Sequence, residues 1–210
     1  MTTQVPIQFR QLTLERLYEA ARVPELVRVP ELTFVMIDGH GDPNTSAQYR
    51  DAIQALYGLS YTLKFGLKRE PGLIYRVGPL EGLWWADDMA GFSIGRKADW
   101  HWTAMIAQPD AVTPERFERA RDEVGRKKGL PGLQRARLER FEDGLAAQVL
   151  HRGPYSDEGP TIEHLHRFIG ELGYAFDGRH QKHHELYLGD PRRSAPEKLR
   201  TIIRQPVAES

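Results

Sequence analysis

The sequence predicts an α+β protein that contains a duplicated unit of strands and a helix. The order strand, glycine-rich turn, helix, glycine and tyrosine occurs twice: "FVMIDGHG" leads to "IQALYGLSY", as "AQVLHRGPY" leads to "IGELGY". Gly41 and Gly153 occupy corresponding turn positions. The chain has 210 residues and 40% hydrophobic content, enough to bury a core as one domain or two halves. Two such halves would pair their sheets about a pseudo-twofold axis, with helices on one face and a ligand cleft on the other.

The first 60 residues are predicted to contain a helix, a strand and a second helix. Residues 1–30 are predicted to contain a lead-in helix over 12–21 and an extended segment. The helix is indicated by four residues at helical spacing, namely Leu14, Leu17, Tyr18 and Ala21. "LTFVMID" (32–38) is typical of a buried strand and is closed by the turn "DGHGDPN". Tyr49, Ile53 and Leu56 then indicate a helix that ends at Gly58.

The middle of the chain predicts three strands and one capped helix. Residues 72–87 are expected to form two short strands around Gly78 and Pro79, and residues 99–107 form another. Thr113 is expected to cap the next helix, with Pro114 as its first residue. Gly129 and Pro131 end it.

The last third predicts a hairpin, a helix, a strand and a closing helix. "LQRARLERF" and "LAAQVLHRG" are joined by turn residues 142–144, which favours a hairpin. A helix follows from Pro160, with a stripe of Ile162, Leu165, Ile169 and Leu172. Ser194 and Glu197 form a capping box for a closing helix. We therefore predict a domain over 31–210, with repeats at about 31–98 and 99–190 before that helix.

Composition limits the function classes. Lys plus Arg and Asp plus Glu both total 29, so no basic field is available to attract nucleic acid. The absence of cysteine excludes disulfides and thiolate ligands. No segment has the length and apolarity of a membrane span or a leader, so we predict a cytoplasmic protein. The eight histidines lack metal-site spacing, and we expect neither a metal nor a cofactor.

Glu185 is the most informative single residue. Strand alternation places His184, Leu186 and Leu188 on one face, and it places His183, Glu185 and Tyr187 on the other. An ionised carboxylate among apolar residues requires either solvent or a specific purpose. The alternatives are a ligand pocket, an ion pair with a neighbour such as Arg192 or Arg193, or exposure on an edge strand.

All four tryptophans lie close together in the sequence, at positions 84, 85, 100 and 102. A tryptophan on a strand either fills a core or forms the wall of a site for a flat ligand. The acid at Glu185 favours the second interpretation. Alternation alone leaves open whether Trp84 or Trp85 points inward.

The sequence resembles the GyrI-like small-molecule-binding family. The resemblance spans roughly residues 26 to 207 and is carried, in family order, by five segments. These are "FVMIDGHGDPN", "LEGLWWADD", "DWHWTAMIAQPD", "HRGPYSDE" and "HHELYLGDPRRSAPEKLRTIIRQP". The resemblance implies duplicated strand–helix–strand–strand units that form a pseudo-twofold antiparallel sheet with a ligand cleft between the halves. It also implies that Glu185 corresponds to the glutamate at the pocket floor of drug-binding members.

Stand-alone family members similar to this chain include cyclopropanoid cyclopropyl hydrolases, which detoxify DNA-alkylating compounds. This resemblance implies that the chain binds flat hydrophobic molecules in an aromatic cleft and hydrolyses a cyclopropane ring. Glu185 would activate water, and Tyr155 would donate a hydrogen bond to the dienone oxygen. The candidate substrate contacts are Trp84, Trp100, Trp102, Tyr75 and Tyr187. Arg152 departs from the apolar residue that relatives often carry before "GPY".

Two other functions remain open. A binding protein without chemistry would sequester lipophilic or cationic drugs, with Glu185 as the counter-charge. An interaction protein would inhibit a larger enzyme such as gyrase, a role that the family name implies. The aromatic residues favour a small-molecule ligand over a protein partner.

Overall fold

The structure is a computed structural model that describes residues 10–13, 16–69, 74–89 and 94–209. Within these ranges the chain forms both helices and strands, which confirms the α+β class. In chain order they are β1 (Arg10–Gln11), β2 (Glu25–Val29), β3 (Leu32–His40), α1 (Ala47–Leu67), β4 (Leu80–Trp85), β5 (His101–Gln108), α2 (Pro114–Lys128), β6 (Arg137–Phe141), β7 (Gly144–Arg152), α3 (Gly159–Glu171), β8 (Tyr174–Ala175), β9 (His183–Tyr187), β10 (Arg200–Pro206) and β11 (Ala208–Glu209).

The chain divides into two compact units that share one motif. One unit is Glu31–Glu142, and the other combines Met1–Pro30 with Asp143–Ser210. The first contains β3, α1, β4 and β5 in that order, and the second contains β7, α3, β9 and β10. In both units the last strand of the motif lies between the other two and pairs antiparallel with each. The duplicated strand–helix–strand–strand unit is therefore confirmed.

The helix α2 of the first unit begins and ends where the sequence predicts. The Thr113 hydroxyl accepts a hydrogen bond from the backbone N–H of Arg116 at 3.3 Å, which satisfies one of the free donors of the first turn. Pro114 is the first helical residue. Gly129 ends the helix in a left-handed conformation with φ of 56°, which glycine adopts without strain.

The helix α1 is longer than predicted. It continues through Gly58 to Leu67. Gly58 is buried inside it, and a Cβ there would lie 3.0 Å from the Leu130 side chain. The glycine therefore permits close packing of the segment after α2, and the prediction that it ends the helix is wrong.

The helix α3 covers one face of the sheet in the second unit. Its buried residues Leu165 and Ile169 pack against strand residues that point towards it. The apolar group comprises Leu26, Ala147, Val149, Leu165, Ile169, Ile203 and Val207. Burial of this group contributes to the hydrophobic stabilisation of the unit.

The other face of this sheet carries a buried polar network. Asp143 Oδ2 lies 2.9 Å from His184 Nδ1 and 3.3 Å from an Arg204 guanidinium nitrogen. All three side chains are at most 2% exposed. Arg204 also donates to Gln148 Oε1 at 3.0 Å and to the Leu17 carbonyl at 3.1 Å, so it fixes the N-terminal segment to the strands.

Burial opposes ionisation of Asp143, but the adjacent His184 and Arg204 outweigh this effect and hold the pKa of Asp143 below its usual value. The carboxylate is therefore ionised at neutral pH. The network thus places a compensated charge pair in the interior of the unit.

Two predicted helices are absent from the described residues. Residues 12–13 and 16–21 contain no α helix, Leu14 and Glu15 lie outside the described residues, and Leu12 and Leu17 are buried without one. A segment this short forms a marginal helix in isolation, so its tertiary contacts decide its conformation. At the other end, the predicted closing helix is a three-residue 3₁₀ turn followed by β10. The β-branched run at 201–203 favours this buried strand.

Two strand predictions also require correction. Residues 74–79 form no strand, so β4 is the sole described strand in the segment predicted to hold two. The predicted hairpin is also absent. The strand β6 pairs with β3, whereas β7 pairs with β2 and β10. No α helix in the described ranges combines the length and apolarity that a bilayer crossing requires.

Candidate ligand-binding and catalytic residues

Glu185 lies on the face of its sheet that α3 covers. Its cross-strand partner on β10 is Ile203, which belongs to the apolar group under α3. His183 and Tyr187 share this face with Glu185, as strand alternation predicts. The Glu185 side chain is 15% exposed, so its carboxylate is largely removed from solvent.

Both oxygens of the Glu185 carboxylate have partners from the same strand. The Tyr187 hydroxyl donates to Oε2 at 2.7 Å, and His183 Nε2 lies 3.1 Å from Oε1. These contacts stabilise a carboxylate that burial alone would penalise. Arg192, one of the ion-pair partners considered for Glu185, binds Asp190 with Nε 3.0 Å from Oδ1.

Tyr155 lies beside this group. It begins a 3₁₀ turn, Tyr155–Asp157, between β7 and α3. Its ring centre lies 5.4 Å from that of Tyr187, at an interplanar angle of 70°. An edge-to-face contact of this kind is favourable. The structure thus brings the two predicted catalytic residues, Glu185 and Tyr155, into one group through Tyr187.

Two further histidines lie near the group formed by Tyr155, His183, Glu185 and Tyr187. Burial, with a smaller contribution from His183, lowers the pKa of His166 on α3 to about 4, so its imidazole is neutral at neutral pH. Within the described part of the chain, His166 Nε2 is buried without a hydrogen-bond partner. His151 is held by Thr161 at 3.0 Å and by the Pro154 carbonyl at 3.3 Å.

His183 is the residue that sequence reasoning missed. Strand alternation placed it on the same face as Glu185, two residues earlier, but no role was assigned to it. Where the chain is described, no group of three or more His, Asp or Glu residues could hold a metal ion.

Three of the four tryptophans form an aromatic group in the unit Glu31–Glu142, on the side of its sheet that α1 covers. Trp84 and Trp102 are cross-strand partners on β4 and β5. Tyr49 of α1 contacts both, with ring centres 5.8 Å and 4.9 Å apart respectively. Trp100 contacts Trp84 with ring centres 5.7 Å apart. We refer to Tyr49, Trp84, Trp100 and Trp102 as the α1-side aromatic group.

Two glycines make room for these indoles. A Cβ at Gly39 would lie 2.1 Å from the Trp102 ring, and one at Gly82 would lie 2.8 Å from Trp84 Nε1. Trp102 is fully buried, and its Nε1 has no hydrogen-bond partner among the described residues. Trp84 and Trp102 thus have the packing expected of core residues, whereas Trp100 is partly exposed.

Trp85 points to the opposite face from Trp84. It stacks on His101 with ring centres 5.6 Å apart and an interplanar angle of 16°. This placement answers the question that alternation left open, since Trp84 and not Trp85 joins Trp100 and Trp102.

Tyr75 lies apart from the α1-side aromatic group. Its hydroxyl is 3.2 Å from both the Ser60 carbonyl and Gln108 Oε1. Gln108 is six residues from Trp102 along β5, or roughly 20 Å at the rise of a strand. Burial raises the pKa of Tyr75 to about 12, so it remains a neutral phenol.

The duplicated strand–helix–strand–strand fold is that of a known class of small-molecule-binding domain. The family model of the GyrI-like small molecule binding domain matches residues 22–208. The chain belongs to this family.

Solved structures support the family relationship. An uncharacterized conserved protein from Listeria innocua is 40% identical, with a TM-score of 0.86, and the match covers 93% of this chain and 97% of that one. A hydrolase from Listeria innocua is 39% identical, with a TM-score of 0.81 and coverage of 92% and 96%. A further Listeria innocua hydrolase is 38% identical, with a TM-score of 0.83 and coverage of 96% and 100%.

The C-terminal domain of EcmrR has the same fold, with a TM-score of 0.54 at 14% identity and coverage of 89% and 98%. No functionally curated protein gives a significant sequence match.

Proposed function

We propose that this protein adds water to the strained cyclopropane ring of flat, hydrophobic, DNA-alkylating compounds. The observation that carries the proposal is the largely buried Glu185 carboxylate, which has a partner at each oxygen. One of these partners, Tyr187, contacts the ring of Tyr155. Two similar Listeria proteins described as hydrolases add support.

In the proposed reaction, Glu185 removes a proton from water while the oxygen bonds to a ring carbon of the cyclopropane. The carbon–carbon bond to that atom breaks, and its electron pair moves into the conjugated dienone, which becomes a phenolate. Tyr155 donates a hydrogen bond to the oxygen that gains this charge. Protonation of the product and release of the Glu185 proton complete the net addition of one water molecule.

A cyclopropane-bearing alkylator provides the direct test of this reaction. We expect purified protein to convert it to a product heavier by one water, with ¹⁸O incorporated when the reaction runs in H₂¹⁸O. Mass spectrometry measures both. Binding without a ring-opened product would contradict hydrolysis and favour a sequestering protein, in which Glu185 serves as a counter-charge.

The aromatic contacts are proposed separately from the catalytic group. Trp100 is the partly exposed tryptophan of the α1-side aromatic group, so among its indoles it is the first candidate to contact a flat ligand. Trp84, Trp102, Tyr75 and Tyr187 remain proposed substrate contacts, with Trp84 and Trp102 also supporting the packing around Trp100.

Replacement of Trp100 with Leu is expected to weaken ligand binding by about threefold to tenfold, because it removes an aromatic contact that contributes about 0.5–1.5 kcal/mol. Quenching of tryptophan fluorescence by the ligand measures the dissociation constant. Trp85→Leu is the matched control, because Trp85 lies on the opposite face of the same sheet. Equal weakening in both variants would contradict a specific role for Trp100.

A further inference from the structure

We propose that His183 is a positioning residue for Glu185, an inference that rests on the proposed hydrolysis at this carboxylate. His183 is 8% exposed, and its Nε2 lies 3.1 Å from Glu185 Oε1. Tyr187 holds the other oxygen at 2.7 Å. The residues two before and two after the acid therefore hold its carboxylate from both ends.

This arrangement fixes the orientation of a group that otherwise turns easily. The terminal torsion of a glutamate is broad, so one contact alone leaves the carboxylate free to rotate. A partner at each oxygen removes that freedom. An ionised carboxylate has about four lone-pair sites, so hydrogen bonds from His183 and Tyr187 are compatible with a further one from an attacking water.

The contact requires a proton on His183 Nε2, because a carboxylate only accepts hydrogen bonds. Neutral His166 on α3 brings no competing cation to the group. His183 thus acts through Glu185 and need not touch the substrate. Its loss should lower the rate of ring opening without weakening substrate binding.

The first test is independent of turnover. Long-range ¹H–¹⁵N NMR of the histidine rings reports which nitrogen of His183 carries the proton, with His183→Gln used to assign its signals. We expect a protonated Nε2 in the wild-type protein. An unprotonated Nε2 would overturn the proposal, whether or not the protein hydrolyses any compound.

The second test measures turnover of the cyclopropane-bearing alkylator. His183→Leu should lower kcat by about 10- to 100-fold, the scale of a small misplacement of a reacting group, with little change in KM. His183→Gln should restore kcat to within about threefold of wild type, because its side-chain amide supplies an N–H near the position of Nε2. His164→Gln on the exposed surface of α3 is the control.

Wild-type kcat in His183→Leu would overturn the positioning role. A folded His183→Gln variant with the same low kcat as His183→Leu would also overturn it. In that case a side chain that supplies the hydrogen-bond donor would have failed to restore the rate. Absence of turnover in the wild-type protein would refute the proposed function, while the NMR result would still decide whether His183 holds Glu185.

Discussion

Replacement of Glu185 with Gln is expected to slow ring opening by about 100- to 10,000-fold, the usual contribution of a general base. The substitution keeps the shape of the side chain and allows it to accept from Tyr187, which now donates to Oε2 at 2.7 Å. It removes the negative charge that takes up the proton of water. Ligand binding should therefore remain within about threefold of wild type, because a shape-preserving change in the base acts mainly on kcat.

Single-turnover mass spectrometry measures the rate, and fluorescence quenching measures binding. Tyr155→Phe is the companion variant, since it removes the proposed donor to the dienone oxygen but keeps the ring that contacts Tyr187. It should also be slower than wild type with binding retained. Full activity in Glu185→Gln would exclude the role assigned to Glu185, even if the protein binds its ligand tightly.

Local signals in the sequence were sufficient where short-range chemistry determines the structure. The cap formed by Thr113, the start at Pro114 and the left-handed end at Gly129 all follow from the residues themselves. The repeated strand–turn–helix order correctly indicated duplication, because each copy carries its own hydrophobic pattern and turn glycines.

Predictions failed where distant parts of the chain determine the structure. Gly58 looked like a helix end, but it accommodates Leu130, which lies 72 residues away along the chain. The capping box of Ser194 and Glu197 favoured a helix. Tertiary pairing of 200–206 with both β7 and β9 makes that segment a strand instead.

In the candidate site, too, the local sequence predicted some features and distant contacts determine the others. Strand alternation predicted that His183, Glu185 and Tyr187 share a face, since this depends only on the period of two. It did not identify the partners of the carboxylate, because that depends on side-chain rotamers. Nor did it predict that the Tyr75 hydroxyl donates a hydrogen bond to the Ser60 carbonyl. A hydrogen bond between distant elements has no signature in the local sequence.

Removal of the Asp143 carboxylate is expected to produce the largest loss of stability. Asp143→Ala should lower the free energy of unfolding by about 3–5 kcal/mol, because it leaves the buried charge of Arg204 without its carboxylate. Urea denaturation at neutral pH measures the loss. Arg192→Ala is the control, since its side chain is 82% exposed in its pair with Asp190 and such a pair contributes at most about 1 kcal/mol.

The same carboxylate should make stability depend on pH in acid. The folded protein holds the pKa of Asp143 below its ordinary value of 3.8, so the unfolded chain takes up the proton first as pH falls. The contribution of Asp143 is therefore complete above the unfolded pKa and is lost as pH falls towards the folded one. Asp143→Asn, which preserves volume but has no charge to titrate, should show a smaller loss of stability over this range. Parallel acid titrations of the two proteins would contradict an ionised Asp143 in the folded state.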